Sequence, residues 1–393
     1  MSMLPAYYEF ICPVKILSGR KALSNLPYEL NLLGMHKPMV VTDQGIVKAK
    51  LLTRVTAALK DADIDIACLY DRTPPDSSDR VVNEVAVLYR EKGCDGLIAV
   101  GGGSAIDTAK GVNIVVSHQT DDLLKFQGVD RLTAALAPLV VIPTTAGTGS
   151  EVTNVSVIYN ETTHSKMAFM SNKLYPHVAL LDPVMTQTMP PKITAATGMD
   201  ALTHAVEAFT GLQKNPVSDA FALAAVRLVT QYLVAAVKDG DDLDARLAMA
   251  NAALLAGVAF SNSMVGVVHA HAHATGGVAH VPHGVANSIL LPFGMDYNLD
   301  KSAADLAALA PAMGIMAPGA GEREVAMKVI AAVRQLKADL KALCGLPETL
   351  SEAGVTRENI PDIARKAMDD GSLTYNPTEM TYEESLKFLA GAL

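Results

Sequence analysis

Tryptophan is absent from this 393-residue chain, and aromatic residues make up only 5% of it. Base-stacking surfaces need aromatic platforms, so this scarcity argues against a single-stranded nucleic-acid partner. Basic residues are outnumbered, 32 against 41, for a net charge of −9. Neither a general nucleic-acid partner nor a polybasic membrane contact is expected from that balance. Cysteine is also scarce. Cys12, Cys68, Cys94 and Cys344 are scattered and form no CxxC pair. This pattern fits reduced thiols in a cytoplasmic protein and gives a thiolate zinc site no support. The start, MSMLPAYYEFICP, lacks a basic region followed by an apolar run, so no signal peptide is expected.

Charge of either sign is missing between Arg246 and Asp296. The most apolar part of that stretch, 247–260, is interrupted by Asn251 and followed by Ser261, Asn262 and Ser263. A membrane span needs roughly 20 mostly apolar residues. A buried core helix is the better expectation, with no membrane partner.

What is present begins with alternation. PMVVT (38–42), IDIACLY (64–70), GLIAVG (96–101), PLVVIPT (138–144) and VALLDP (178–183) read as buried strands. Helical stretches such as 48–61 and 80–92 lie between them. Alternating strand and helix implies a Rossmann-like parallel sheet with helices on both faces. After Pro190 and Pro191 the chain becomes persistently helical, as over 217–238, 243–260, 303–313 and 322–343. The expected organisation is an α/β domain over 1–188 followed by an all-α domain over 189–393.

Two loops suggest a phosphate cradle. GGGSAIDTAK (101–110) follows the strand GLIAV, where Gly101, Gly102 and Gly103 allow close backbone approach. Ser104 and Asp107 read as a capping pair. The next strand is followed by IPTTAGTGSEVTN (142–154), whose Thr144, Thr145 and Thr148 offer hydroxyls. Either loop alone could be an ordinary strand-to-helix turn. Asp43, after the first strand of this domain, could accept both ribose hydroxyls of NAD and repel the extra phosphate of NADP. A simple turn aspartate is the plainer alternative.

Five of the ten histidines fall within fifteen residues: His269, His271, His273, His280 and His283. Imidazole is the commonest metal ligand. Their neighbours are small and apolar, unlike a solvated histidine tract. His269 and His273 are four apart, with His271 pointing away, and Gly276 and Gly277 are expected to end that helix. Asp200 and His204 in GMDALTHAVEAF are also four apart, so they share one helix face. One carboxylate with several neutral imidazoles suits a divalent transition ion. Core histidines bonded to backbone carbonyls are the alternative.

GGGSAIDTAK, TTAGTGSE, TGMDALTHAVEAF and VHAHAHATGGVAHVPHGVANSILLP closely resemble the iron-dependent (group III) alcohol dehydrogenases. The resemblance runs in matching order from about Val40 to Asn298. It implies a nucleotide-binding α/β domain, a helical metal-binding domain, and interconversion of alcohols and aldehydes. The implied metal ligands are Asp200, His204, His269 and His283, holding Fe(II) or alternatively Zn(II). His273 matches a histidine near the metal and is assigned a proton-relay role. Gly102, Gly103 and Ser104 would hold the cofactor pyrophosphate, with Thr144, Thr145 and Thr148 nearby. Lys166 matches a lysine near the cofactor, and Asp43 a position associated with NAD rather than NADP. The family also favours a homodimer or higher homo-oligomer acting on a small alcohol or aldehyde. Departures occur at His271, His280 and Phe293, and at Pro75-Asp76 where Asn-Pro is frequent. Rival readings on the same scaffold are a glycerol-dehydrogenase-like or dehydroquinate-synthase-like enzyme, or a non-catalytic sensor of nucleotide or metal.

Overall fold

A computed structural model describes residues 5–60, 62, 64–163 and 165–393. The chain forms two compact units, Cys12–Thr188 and Met189–Leu393 with Met1–Ile11.

The first unit is built on strands β1 (Lys15–Ser18), β2 (Pro38–Val41), β3 (Cys68–Tyr70), β4 (Gly96–Gly101), β5 (Gly128–Val129), β6 (Leu139–Pro143), β7 (Val155–Asn160), β8 (Ser165–Met170) and β9 (Val178–Leu181). Six form one sheet in the order β1-β9-β6-β4-β2-β3, parallel throughout. Successive residues of each strand point to opposite faces. Met39, Val41, Leu97 and Ala99 therefore enter one apolar core, while Val40, Ile98 and Val100 enter the other. Burial on both faces is why these strands read as continuous apolar runs.

The helix Asp79–Glu91 shows how the faces are covered. Ser78 caps its start by accepting from Val81 N–H. Val81, Val82, Val85, Ala86 and Tyr89 then recur at helical spacing and are buried. The second sheet, β5-β8-β7, contains an antiparallel β7–β8 pair that the strand pattern had not indicated. Of the expected strand 64–70, only Cys68–Tyr70 forms.

The second unit is helical. Pro191–Thr210 starts with proline in its first turn and is buried along nearly all its length after Ile193. Pro216–Lys238 and Leu243–Ser261 pack on it and on each other. Both are long and apolar enough to cross a membrane, and the second is mostly buried within the protein. Val267–Ala279, His283–Ala308 and Glu322–Cys344 follow.

Three sequence expectations about the helical unit need correction. The first concerns the segment before Cys12, which was placed in the α/β domain. Ile11 N–H donates to Asn262 Oδ1 at 2.7 Å, Asn262 Nδ2 donates back to Ile11 O at 3.1 Å, and Phe10 stacks on Phe221. These ties join it to the helical unit. Second, the helix that begins at Val267 runs past Gly276 and Gly277 to Ala279, and His280 closes it in the left-handed region, φ 56°. Third, the expected helix 303–313 starts as expected, after a kink at Ser302 (φ −118°) that sets it off from the helix beginning at His283, but it ends early, at Ala308.

Candidate metal centre and nucleotide loops

Asp200 and His204 lie one turn apart inside Pro191–Thr210. His269 lies in the first turn of Val267–Ala279, and His283 opens His283–Ala308. Gly284 lets this last helix meet the first. A Cβ at 284 would stand 2.5 Å from the Ala196 carbonyl oxygen.

One ligand atom from each of Asp200, His204, His269 and His283 lies within 4.8 Å of the other three. Asp200 Oδ1 is 3.9 Å from His204 Nδ1, 3.9 Å from His269 Nε2 and 3.5 Å from His283 Nε2. Asp200, His204 and His269 are buried, while a third of the His283 side chain is exposed. Burial drives the His269 imidazole well below its ordinary pKa, so its neutral form with a free lone pair is favoured. A buried carboxylate ringed by imidazole nitrogens is a donor set that fits a divalent cation.

Three further side chains support this cluster. Asn287, one turn beyond His283, donates from Nδ2 to Asp200 Oδ1 at 2.6 Å. Glu207, one turn beyond His204, has Oε2 2.5 Å from His269 Nδ1. His273 Nδ1 meets Asp370 Oδ2 at 2.8 Å, and its ring stacks on His283 at 5.2 Å between centroids. His273 keeps 37% of its side chain exposed.

The other two clustered histidines are structural. His271 is buried, with Nδ1 2.7 Å from Val267 O and Nε2 2.8 Å from Ser385 Oγ. Burial pushes it down to about 4. His280 is the left-handed helix cap already described.

In the α/β unit, Gly102 and Gly103 begin the helix Gly103–Ser117 after β4. The two loops touch: a Cβ on Gly102 would lie 3.1 Å from Thr145 Oγ1, and one on Gly103 3.1 Å from Thr148 Cγ2. Thr144 N–H donates to Gly101 O at 3.0 Å. The expected Ser104–Asp107 capping pair does not form. Gly102 is the cap residue, and Asp107 instead accepts from Val157 N–H at 3.1 Å. Buried Lys110 reaches the carbonyls of Ser150, Thr153 and Val155 at 2.7–2.9 Å, which fixes the second loop from beneath. Ser104 Oγ accepts from Asp76 N–H at 3.3 Å, and Lys166 Nζ pairs with Asp76 Oδ1 at 2.8 Å. Asp76 thus joins two residues expected at the cofactor. Asp43 caps the helix Gln44–Lys48, with Oδ1 accepting from Ile46 N–H at 3.0 Å.

Glu207 and Asn287 were missed in the sequence, although their spacing from His204 and His283 placed them on the ligand faces. Asp370 carries no local signal, since it lies 97 residues from His273.

Comparison with known proteins agrees with this geometry. A 1,3-propanediol dehydrogenase of Klebsiella pneumoniae is 39% identical over 96% of both chains. An NAD-dependent methanol dehydrogenase of Bacillus methanolicus is 35% identical over 98% of this chain and 99% of its own. A crystal structure of 1,3-propanediol oxidoreductase superposes with a TM-score of 0.95 at 38% identity, covering 98% of this chain and all of the other. Residues 13–183 match the family described as iron-containing alcohol dehydrogenase. Residues 194–393 match the Fe-containing alcohol dehydrogenase C-terminal family. With both halves matched, this chain belongs to the iron-containing alcohol dehydrogenases.

Proposed function

We propose that the protein is an NAD-dependent, metal-dependent alcohol dehydrogenase and aldehyde reductase. Its substrates would be small primary alcohols, diols or the matching aldehydes. The observation that carries this reading is the convergence of Asp200, His204, His269 and His283, with ligand atoms within 4.8 Å. Fe(II) is the expected ion, and Zn(II) suits the same donors. When bound, the ion supplies Lewis acidity toward the substrate oxygen, and the nicotinamide accepts or supplies the hydride.

The chain's own residues divide the remaining work. Asp200 and the three histidines hold the ion, and Asn287 steadies the Asp200 carboxylate. His273 is oriented through Nδ1 by Asp370, which leaves Nε2 to exchange the hydroxyl proton. Gly101, Gly102, Gly103 and Ser104, with Thr144, Thr145 and Thr148, form the pyrophosphate cradle. Lys166 adds a positive charge nearby. Asp43 receives the ribose hydroxyls and disfavours NADP. The enzyme is read as a cytoplasmic homodimer or higher homo-oligomer.

The test is anaerobic purification, metal analysis and an NADH-oxidation screen over short aldehydes. One divalent ion per chain and turnover are expected. Full occupancy and activity in His269→Ala would overturn the ligand set. An Asp43→Gly variant should lose its preference for NAD, and an unchanged preference would remove Asp43 from the cofactor site.

A further inference from the structure

We propose that Glu207 is a positioning residue for the metal centre. It caps the helix that carries His269 and keeps the ring proton of that histidine on Nδ1. The proposal rests on the metal-site reading given above.

The helix Val267–Ala279 starts after Gly266, which has no side chain to cap it. The first N–H groups of a helix have no partner within the helix. Here the cap comes from another helix. Val268 N–H donates to Glu207 Oε1 at 2.6 Å, and His269 N–H donates to Oε2 at 3.4 Å. The same Oε2 faces His269 Nδ1 at 2.5 Å. With the proton on Nδ1, the lone pair falls on Nε2, the atom 3.9 Å from Asp200 Oδ1. Gly266 makes the approach feasible. A Cβ there would lie 3.2 Å from Glu207 Oε1 and 2.8 Å from Asn376 Oδ1.

Glu207 is three residues beyond His204 and seven beyond Asp200, on the same face of Pro191–Thr210. One helix therefore supplies two ligands and the group that aims a third. A carboxylate serving only as a cap would have no need to meet the imidazole. A carboxylate that is 5% exposed also needs these donors, because a buried charge without them is costly.

The experiment uses the full-length protein stripped of metal, as wild type, Glu207→Gln and His269→Ala. Co(II) affinity is measured against a competing chelator, with ligand-field absorption as the signature. The His269 tautomer is read by side-chain nitrogen NMR. Loss of such an outer partner lowers metal affinity by roughly 10–100-fold, and this is expected for Glu207→Gln together with a mixed tautomer. A lower melting temperature with unchanged Co(II) affinity and tautomer would overturn the proposal. Wild type that binds no Co(II) would overturn the metal reading itself. If Glu207→Gln does not fold, the wild type decides: a metal-free His269 protonated on Nε2 overturns the proposal, and one protonated on Nδ1 supports it.

Discussion

Asn287 places its amide nitrogen 2.6 Å from Asp200 Oδ1 and 3.1 Å from His283 Nε2. Replacing Asn287 with Asp would set a second carboxylate beside Asp200. Like charges at that distance, out of water, repel strongly. Metal-free Asn287→Asp should therefore melt below metal-free wild type. A divalent ion offsets the repulsion, so the rise in melting temperature on adding Zn(II) should exceed that of wild type. Equal rises would show that Asn287 does not sense the ion.

Gly284 bears on geometry rather than charge. The atom a Cβ would strike is backbone, the Ala196 carbonyl oxygen at 2.5 Å, and it cannot swing aside as a side chain can. Gly284→Ala should cost on the order of 1–3 kcal/mol in stability, as overpacking does. It should also move His283 and lower metal occupancy. Chemical denaturation with metal analysis would check both, and full occupancy would refute the link.

His271 offers the opposite contrast. Its two nitrogens are satisfied by Val267 O and Ser385 Oγ, away from the ligand cluster. His271→Leu should lose about 1–3 kcal/mol by leaving buried polar partners unpaired. Metal stoichiometry should stay at the wild-type level. A loss of metal comparable to that in His269→Ala would contradict this assignment.

A pH dependence is expected from the α/β unit. Burial raises Glu151 from 4.5 to about 7. Between those values the folded state holds a proton that the unfolded state releases. The contribution is complete below the unfolded pKa and is lost as pH rises through the folded one. Glu151→Gln removes that loss. The variant should gain stability relative to wild type between about pH 5 and about pH 8, read from urea midpoints. A constant difference over that range would refute the assignment.

The metal ligands were accessible in the sequence because they follow helix periodicity within short motifs. Asp200 with His204 shows this, as does the histidine run. The strands of the main sheet were legible for a similar reason, since burial on both faces leaves uninterrupted apolar runs. Lys15–Ser18 was not, because three of its four residues are exposed and its composition is mixed. Asp370 was hidden by distance along the chain, which no local pattern can bridge. The end of the histidine-bearing helix was placed too early because Gly276 and Gly277 looked like a helix end. The helix carries both, and a histidine takes the left-handed position that glycine usually fills.

The partition of the chain has a consequence for cutting it. Because Ile11 pairs with Asn262 and Phe10 stacks on Phe221, the polypeptide leaves the helical unit and later returns to it. The α/β unit is thus an insertion, tethered at both ends. Severing the chain at Thr188 would not yield two self-contained pieces. The C-terminal fragment would lack the strand of polypeptide that occupies Asn262 and Phe221, and the N-terminal fragment would carry that strand without its seat. Fragment complementation is therefore best attempted with a cut at an exposed turn inside one unit, such as Pro318–Gly319 before the helix Glu322–Cys344.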